Sequence, residues 1–160
     1  MTFRRFSDFN FYISTCSSLL DVRKTEMRIG IQTKVLLVDD SSTHRVIVRK
    51  LLTELGINDV DDASNGKDAI AKIHEKKYDL VISDWNMEPM NGQQLLVNVR
   101  AEKQFAKLPF ILMTAESAVS KIVDAKNARV SSFINKPFNA GALETKILAI
   151  EEDSSAGTIL

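Results

Sequence analysis

The sequence predicts an α/β protein, a doubly wound (βα)5 sandwich with a central five-stranded parallel sheet. Three observations carry the expectation. From Lys34 onward, short apolar runs alternate with segments of helical periodicity. The links between them are short, as in βα units. Four of the runs also end on a chosen polar group: Val35-Leu36-Leu37-Val38-Asp39-Asp40, Leu80-Val81-Ile82-Ser83-Asp84, Phe110-Ile111-Leu112-Met113-Thr114 and Ser132-Phe133-Ile134-Asn135-Lys136-Pro137. Strand C-termini of an open parallel sheet converge on one edge, where such folds bind ligands. A carboxylate pair, a single carboxylate, a hydroxyl and an ammonium gathered there have the chemistry for a divalent cation and a phosphoryl group.

The elements follow in order. A strand over 34–39 precedes a helix from Ser42, a plausible N-cap, to Leu55, with Ile47, Leu51, Leu55, Val48 and Leu52 as its apolar stripe. Gly56 supplies a stop signal. A short strand near 58–62 leads to a helix over 66–76 that turns Ala69, Ile70 and Ile73 inward. The strand at 79–83 is almost entirely apolar, as expected when both faces are covered. A turn with Pro89 and Gly92, a helix over 93–104 and a strand at 109–113 come next. A helix over 117–127, carrying Val119, Ile122 and Val123, a strand at 131–135 and a helix over 140–151 complete the series.

Composition narrows the function. The chain has 160 residues, with 21 basic and 21 acidic side chains, so nothing favours a nucleic-acid partner. The single cysteine, Cys16, makes no intrachain disulfide, and a reducing compartment is the default. No apolar run approaches the roughly 20 residues needed to cross a bilayer. The polar residues after Arg4 and Arg5 do not suit a signal peptide, so a soluble, cytoplasmic protein without a membrane partner is expected. Three segments are expected: an extension over 1–33, a domain over 34–152 and a frayed tail over 153–160. Phe3, Phe6, Phe9 and Phe11 crowd the start of the extension, and Met27 stands just ahead of the first strand as a natural start. The extension reads either as a poorly ordered or misassigned leader, or as an aromatic segment that docks on this domain or on a partner.

Four motifs, Val38-Asp39-Asp40-Ser41, Ser83-Asp84-Trp85-Asn86-Met87, Met113-Thr114-Ala115-Glu116 and Asn135-Lys136-Pro137-Phe138, occur in order at the ends of the first, third, fourth and fifth strands. With Pro89, Gly92 and Phe133 they make the chain resemble a response-regulator receiver domain of the stand-alone chemotaxis type. The resemblance covers 34–152. It implies the flavodoxin-like strand order 2-1-3-4-5 and a cis Lys136-Pro137 bond. It also implies roles. Asp84 is the phosphoacceptor. Asp39, Asp40, Asp84 and the main-chain carbonyl of Asn86 hold Mg2+. Thr114 hydrogen-bonds the phosphoryl group, Lys136 pairs with it, and Phe133 is the rotameric switch coupled to Thr114. The implied partners are a histidine kinase and a downstream target protein, with the flagellar motor switch as the leading one, and the unphosphorylated protein is expected to be a monomer.

The residue types suit that chemistry. A carboxylate is a competent nucleophile that yields a reactive acyl phosphate. Phosphoryl transfer is then mostly positioning and charge stabilisation. Two carboxylates about 4 Å apart repel by roughly 4 kcal/mol at an effective dielectric near 20, a penalty that a hard cation with oxygen ligands removes. Lys136 brings a positive point charge on a long reach. Thr114 gains a hydrogen bond only in the phosphorylated state, and that difference can bias a conformational equilibrium. Asn86 and Glu116, each two residues past a key position, occupy family positions that tune dephosphorylation, and their polarity predicts a short-lived phosphorylated state.

Other signals are weaker. Asp59, Asp61 and Asp62 read as solvated. His44 and His74 lack zinc-type spacing, and His44 reads as a kinase-facing contact. Trp85 adjoins the nucleophile as a fluorescence reporter. Asn127-Ala128-Arg129-Val130 stands where relatives carry a Gly-containing turn. A positive φ there would be strained, so a different loop path is expected. Competing functions are a phosphorelay intermediate or phosphate sink, a Mg2+-dependent phosphohydrolase with an aspartyl-phosphate intermediate, and a phosphorylation-independent interaction module. Asn86 argues against the hydrolase, which would want an acid/base carboxylate at that position.

Overall fold

The computed structural model describes residues 32–115 and 129–156. The expected helix over 117–127, Glu116, the extension through residue 31, Asn127, Ala128 and residues 157–160 lie outside the described residues. Five parallel strands, β1 (Val35–Val38), β2 (Val60–Ala63), β3 (Leu80–Asp84), β4 (Phe110–Thr114) and β5 (Ser132–Asn135), form one sheet in the order β2-β1-β3-β4-β5. The described helices are α1 (Ser42–Glu54), α2 (Gly66–Glu75), α3 (Gly92–Ala101) and α4 (Ala140–Ala156), with a short 3-10 turn at Lys103–Phe105. The expected fold and strand order are therefore found.

Strand alternation builds two cores. Val35, Leu37, Leu80, Ile82, Ile111, Met113 and Ile134 meet Val48 and Leu52 of α1 and Leu143, Ile147 and Ile150 of α4 on one face. Leu36, Val38, Val81, Phe110 and Leu112 meet Ala69 and Ile73 of α2 and Leu95, Leu96 and Val99 of α3 on the other. Both faces are covered, which is why these strands read as continuous apolar runs.

Local signals set the helix ends. The Ser41 side chain accepts from the His44 amide at 3.4 Å and caps α1. At its C-terminus, Gly56 takes φ +82°, its N–H meets the Thr53 carbonyl at 3.0 Å, and the Ile57 N–H meets the Leu52 carbonyl at 2.9 Å. That is a Schellman stop, as the glycine predicts. Asn65 caps α2 through the Asp68 amide at 2.9 Å. Asn91 and Gln94 form a reciprocal capping box on α3.

Three expectations need correction. Ile47, expected on the apolar stripe of α1, is 51% exposed. Val48 and Leu52 are buried and Leu51 and Leu55 pack against the same core, as expected, while Arg45 and Arg49 join them on the side facing the sheet. Arg45 donates to the Asp39 carbonyl at 2.7 Å, and Arg49 donates to the Val60 carbonyl at 2.7 Å while pairing with Asp62. The second is Asp61 and Asp62, which are not simply solvated. Asp62 is held by Arg49, and Asp61 accepts from the Tyr78 hydroxyl at 2.7 Å and from Lys76 at 3.0 Å. The third is α4, which runs to Ala156 rather than stopping near 151, into the stretch expected to fray. Apolar periodicity ends at Ile150, but no helix breaker follows until Gly157.

The sheet runs outward in both directions from β1 and β3, and the crevice at their C-terminal ends is the topological switch point. Val38 lies opposite Ser83 and Asp84 lies opposite Met113. The residues that follow β1, β3 and β4 therefore emerge side by side. Among the described residues, no helix is long and apolar enough to cross a membrane.

Candidate functional site

Asp39 and Asp40 leave the end of β1, and Asp84 closes β3. Carboxylate oxygens of these three residues lie within 4.8 Å of one another, with Asp39 and Asp84 buried and Asp40 exposed. Two buried carboxylates so close need compensation. Lys136, from the end of β5, provides it: its Nζ lies 2.6 Å from Asp84 Oδ1 and 3.3 Å from Asp39 Oδ2. The Lys136-Pro137 bond is cis, as expected, and so is Glu88-Pro89.

Backbone donors complete the cradle. The Ser41 N–H donates to Asp39 Oδ1 at 2.8 Å, and the Asn86 N–H donates to Asp84 Oδ2 at 3.1 Å. Each Asp84 oxygen thus has a partner, an ammonium on one side and an amide on the other. Burial nevertheless raises the Asp84 carboxyl above its ordinary value. The Lys136 hydrogen bond and charge pull it back down, and the Asp39 charge adds to the rise. A carboxylate that is costly to ionise and placed beside a cation-sized acidic cluster has the electrostatics of a functional group.

Thr114 ends β4 and is 4% exposed. The Lys136 N–H donates to the Thr114 carbonyl at 2.7 Å, so the hydroxyl-bearing and ammonium-bearing strand ends are tied together. Thr114 lies two residues beyond Leu112 and shares its face of β4. Phe133 is opposite Leu112 in the β4–β5 register and packs, partly buried, against that same core. Thr114 and Phe133 therefore lie on one side of the sheet. The Asn86 side chain is exposed, whereas Trp85 and Met87 beside it are buried.

The structure brings together Asp39, Asp40, Asp84, Asn86 and Lys136, with Thr114 at the adjacent strand end, and it sets Phe133 behind Thr114. His44 also belongs to the cluster: its Nδ1 is 3.5 Å from Lys136 Nζ and 3.6 Å from Asp39 Oδ2. Sequence reasoning missed Arg45, whose guanidinium fixes the Asp39 carbonyl. The available signal was its place on α1, three residues before Val48 on the buried seam. It also missed how closely Gly92 sits on Asp84. The Gly92 N–H donates to the Trp85 carbonyl at 2.9 Å, drawing the start of α3 against the end of β3.

Three carboxylates offer hard oxygen donors at a spacing suited to one small divalent cation. Among the described residues the donor set is three carboxylates, which fits Mg2+ better than zinc, and the histidine beside it faces an ammonium.

Comparisons with known proteins place the fold in a family. A family model described as the response regulator receiver domain matches residues 35–148. The chain is 41% identical over 119 residues to chemotaxis protein CheY-3 of Vibrio cholerae, covering 74% of this chain and 92% of that protein. It is 40% identical over 119 residues to chemotaxis protein CheY of Pseudomonas aeruginosa, covering 74% and 96%. The solved structure of Vibrio cholerae chemotaxis protein CheY4 superposes with a TM-score of 0.69 at 32% identity, covering 74% of this chain and 98% of that one.

Proposed function

The chain belongs to the response-regulator receiver family, and from that premise we propose that it takes a phosphoryl group from a histidine kinase onto Asp84 and signals through a protein interaction in chemotaxis. The observation that carries the reading is the convergence of three carboxylates within 4.8 Å, with Lys136 Nζ 2.6 Å from the central one. Residues 34–152 form the unit that carries out this chemistry.

Asp39, Asp40, Asp84 and the Asn86 carbonyl would hold Mg2+. Bound there, the ion would supply the positive charge that screens these carboxylates and the incoming phosphoryl oxygens. The chain's own residues do the rest. An Asp84 oxygen forms the new bond to phosphorus while the phosphohistidine P–N bond breaks and its electron pair stays on the imidazole. Lys136 already lies against Asp84 and keeps its charge beside the transferred group. The Thr114 hydroxyl donates to a phosphoryl oxygen that the free carboxylate lacks, so phosphorylation favours an inward shift of Thr114. Phe133, on the same face, moves into the space left behind. The protein catalyses its own phosphorylation and dephosphorylation rather than turning over a free substrate. Asn86, in the place of an acid/base carboxylate, is consistent with that.

The relatives named as chemotaxis proteins support a flagellar motor component as the target. The test uses acetyl phosphate or beryllofluoride with Mg2+, read by Trp85 fluorescence and intact mass. One phosphoryl group per chain, lost in Asp84→Asn, supports the reading. Sustained hydrolysis of many equivalents of a phosphomonoester would overturn it.

A further inference from the structure

We propose that the aromatic N-terminal segment, residues 3–12, docks in a groove at the opposite edge of the sheet from the carboxylate cluster. The inference is independent of the phosphoacceptor reading.

The groove encloses about 660 Å³ between the end of α2, the link into β3 and the 3-10 turn before β4. Its floor is apolar, built from Ile73, Tyr78, Phe105, Leu108 and Pro109. Polar and charged residues rim it, with both signs present in Glu75, Lys76, Lys77 and Asp79. That size and make-up match a site for an aromatic body with polar flanks. The floor is also rigidly held. The Tyr78 hydroxyl is anchored on Asp61 at 2.7 Å, and His74 stacks edge-on against Phe105 with ring centroids 5.3 Å apart while bonding Glu102 at 3.0 Å. A preformed apolar floor costs little to order when it is filled.

The point of chain entry selects the occupant. Strands β1, β3 and β4 are parallel, so their N-terminal ends share the edge that carries the groove. The chain reaches that edge beside the groove itself. The Lys34 N–H donates to Asp79 Oδ2 at 2.8 Å, the Asp79 N–H donates to the Lys34 carbonyl at 2.8 Å, and Asp79 lines the rim. Everything N-terminal to Thr33 is therefore tethered at the lip. That tethered sequence carries Phe3, Phe6, Phe9, Phe11 and Tyr12, with Arg4, Arg5 and Asp8 between them. It offers the aromatic bodies that the floor fits and both charges that the rim presents. A chain of this length spans roughly 25 Å as a random coil, enough to reach the groove and short enough to hold the segment at about millimolar effective concentration.

The native Cys16 gives a direct test on the full chain, because it is the sole thiol and lies close to the segment in sequence. A nitroxide on Cys16 should broaden the amide signals of Ile73–Asp79 and Gln104–Leu108. Replacing Phe3, Phe6, Phe9 and Phe11 with Ser should restore those signals without shifting the core resonances. Broadening spread evenly over the surface, confined to another face, or absent would overturn the proposal. So would broadening seen equally when nitroxide-bearing chains are mixed with isotope-labelled chains that lack it, since the groove would then take a second copy.

Discussion

Gly92 sits directly on the backbone of Asp84: a Cβ built on it would lie 2.2 Å from the Asp84 carbonyl oxygen and 2.8 Å from Leu112 Cδ2. The first of these neighbours is backbone and cannot swing away. Gly92→Ala must push α3 or the end of β3 out of place, so a loss of about 1–3 kcal/mol in urea denaturation is expected. The rate of Asp84 phosphorylation by acetyl phosphate should fall with it, because the packing of α3 against the strand end that carries Asp84 is what is disturbed. Gly141→Ala is the control. Its Cβ would meet only Asn139 Oδ1 at 3.6 Å, so neither loss is expected.

Asp84 is held at a cost to stability. Burial raises its carboxyl above 3.8 despite the Lys136 ammonium. For an acid whose folded-state pKa is raised, nothing is lost below the unfolded value. Stability falls as pH rises from the unfolded value through the folded one, so the penalty is felt on the alkaline side. Without divalent ions, Asp84→Asn should therefore be more stable than the wild type near neutral pH, and the gain should disappear below about pH 4. Adding Mg2+ should narrow the gap by stabilising the wild type, by about 2.7 kcal/mol at a hundred times its dissociation constant. Thermal melts of both proteins across pH, with EDTA or with Mg2+, check each sign.

What the sequence disclosed depended on how many partners each feature needs. The strands were legible because burial on both faces leaves a continuous apolar run that carries its own signal. The positions of Asp39, Asp84, Thr114 and Lys136 were legible because each follows such a run, and parallel topology then gathers the strand ends. The inward place of Arg45 and Arg49, and the exposure of Ile47, were not. Arg45 and Arg49 face the sheet because the Asp39 and Val60 carbonyls and the Asp62 carboxylate meet them there, and those partners are distant or opaque in sequence. Val48, Leu51, Leu52 and Leu55 pack as expected, and only Ile47 of the apolar stripe is left outside, beside Val46. The Asp61 pairing with Tyr78 was hidden for the same reason, since it joins β2 to the link before β3.

The turn before β5 keeps its left-handed residue without a glycine. Arg129 has φ +57°, and its carbonyl accepts from Arg100 Nε at 3.1 Å, while Arg100 also donates to the Phe105 carbonyl at 3.1 Å. The cross-brace from α3 holds a backbone conformation that costs a non-glycine residue about 1 kcal/mol or more. The expected change of loop path falls on Asn127 and Ala128 as well, which lie outside the described residues. Arg129→Gly removes the Cβ penalty and leaves the carbonyl acceptor in place. It should raise stability by up to about 1 kcal/mol, less whatever glycine gains in the unfolded chain. Paired denaturation curves with equal slopes would show it, whereas a loss of stability would mean that the Arg129 side chain contributes more than its backbone strain costs.

Phe133 is where phosphorylation at one strand end would become a change of surface at another. It shares a face of the sheet with Thr114, packs against the core through Leu112, and is only partly buried. On the proposed reading, a shift of Thr114 on phosphorylation would draw this partly buried ring inward. Phe133→Ala removes the ring but none of the groups around Asp84. Acetyl-phosphate labelling of Asp84 should therefore proceed at close to the wild-type rate. The gain in partner affinity on beryllofluoride activation should largely disappear, a coupling typically worth about 1–3 kcal/mol or 5–150-fold. Titrating a bound partner with and without beryllofluoride, for the wild type and for Phe133→Ala, separates the two effects. If the variant retains the full activation-dependent gain, the ring is ordinary packing and the signal leaves Thr114 by another route.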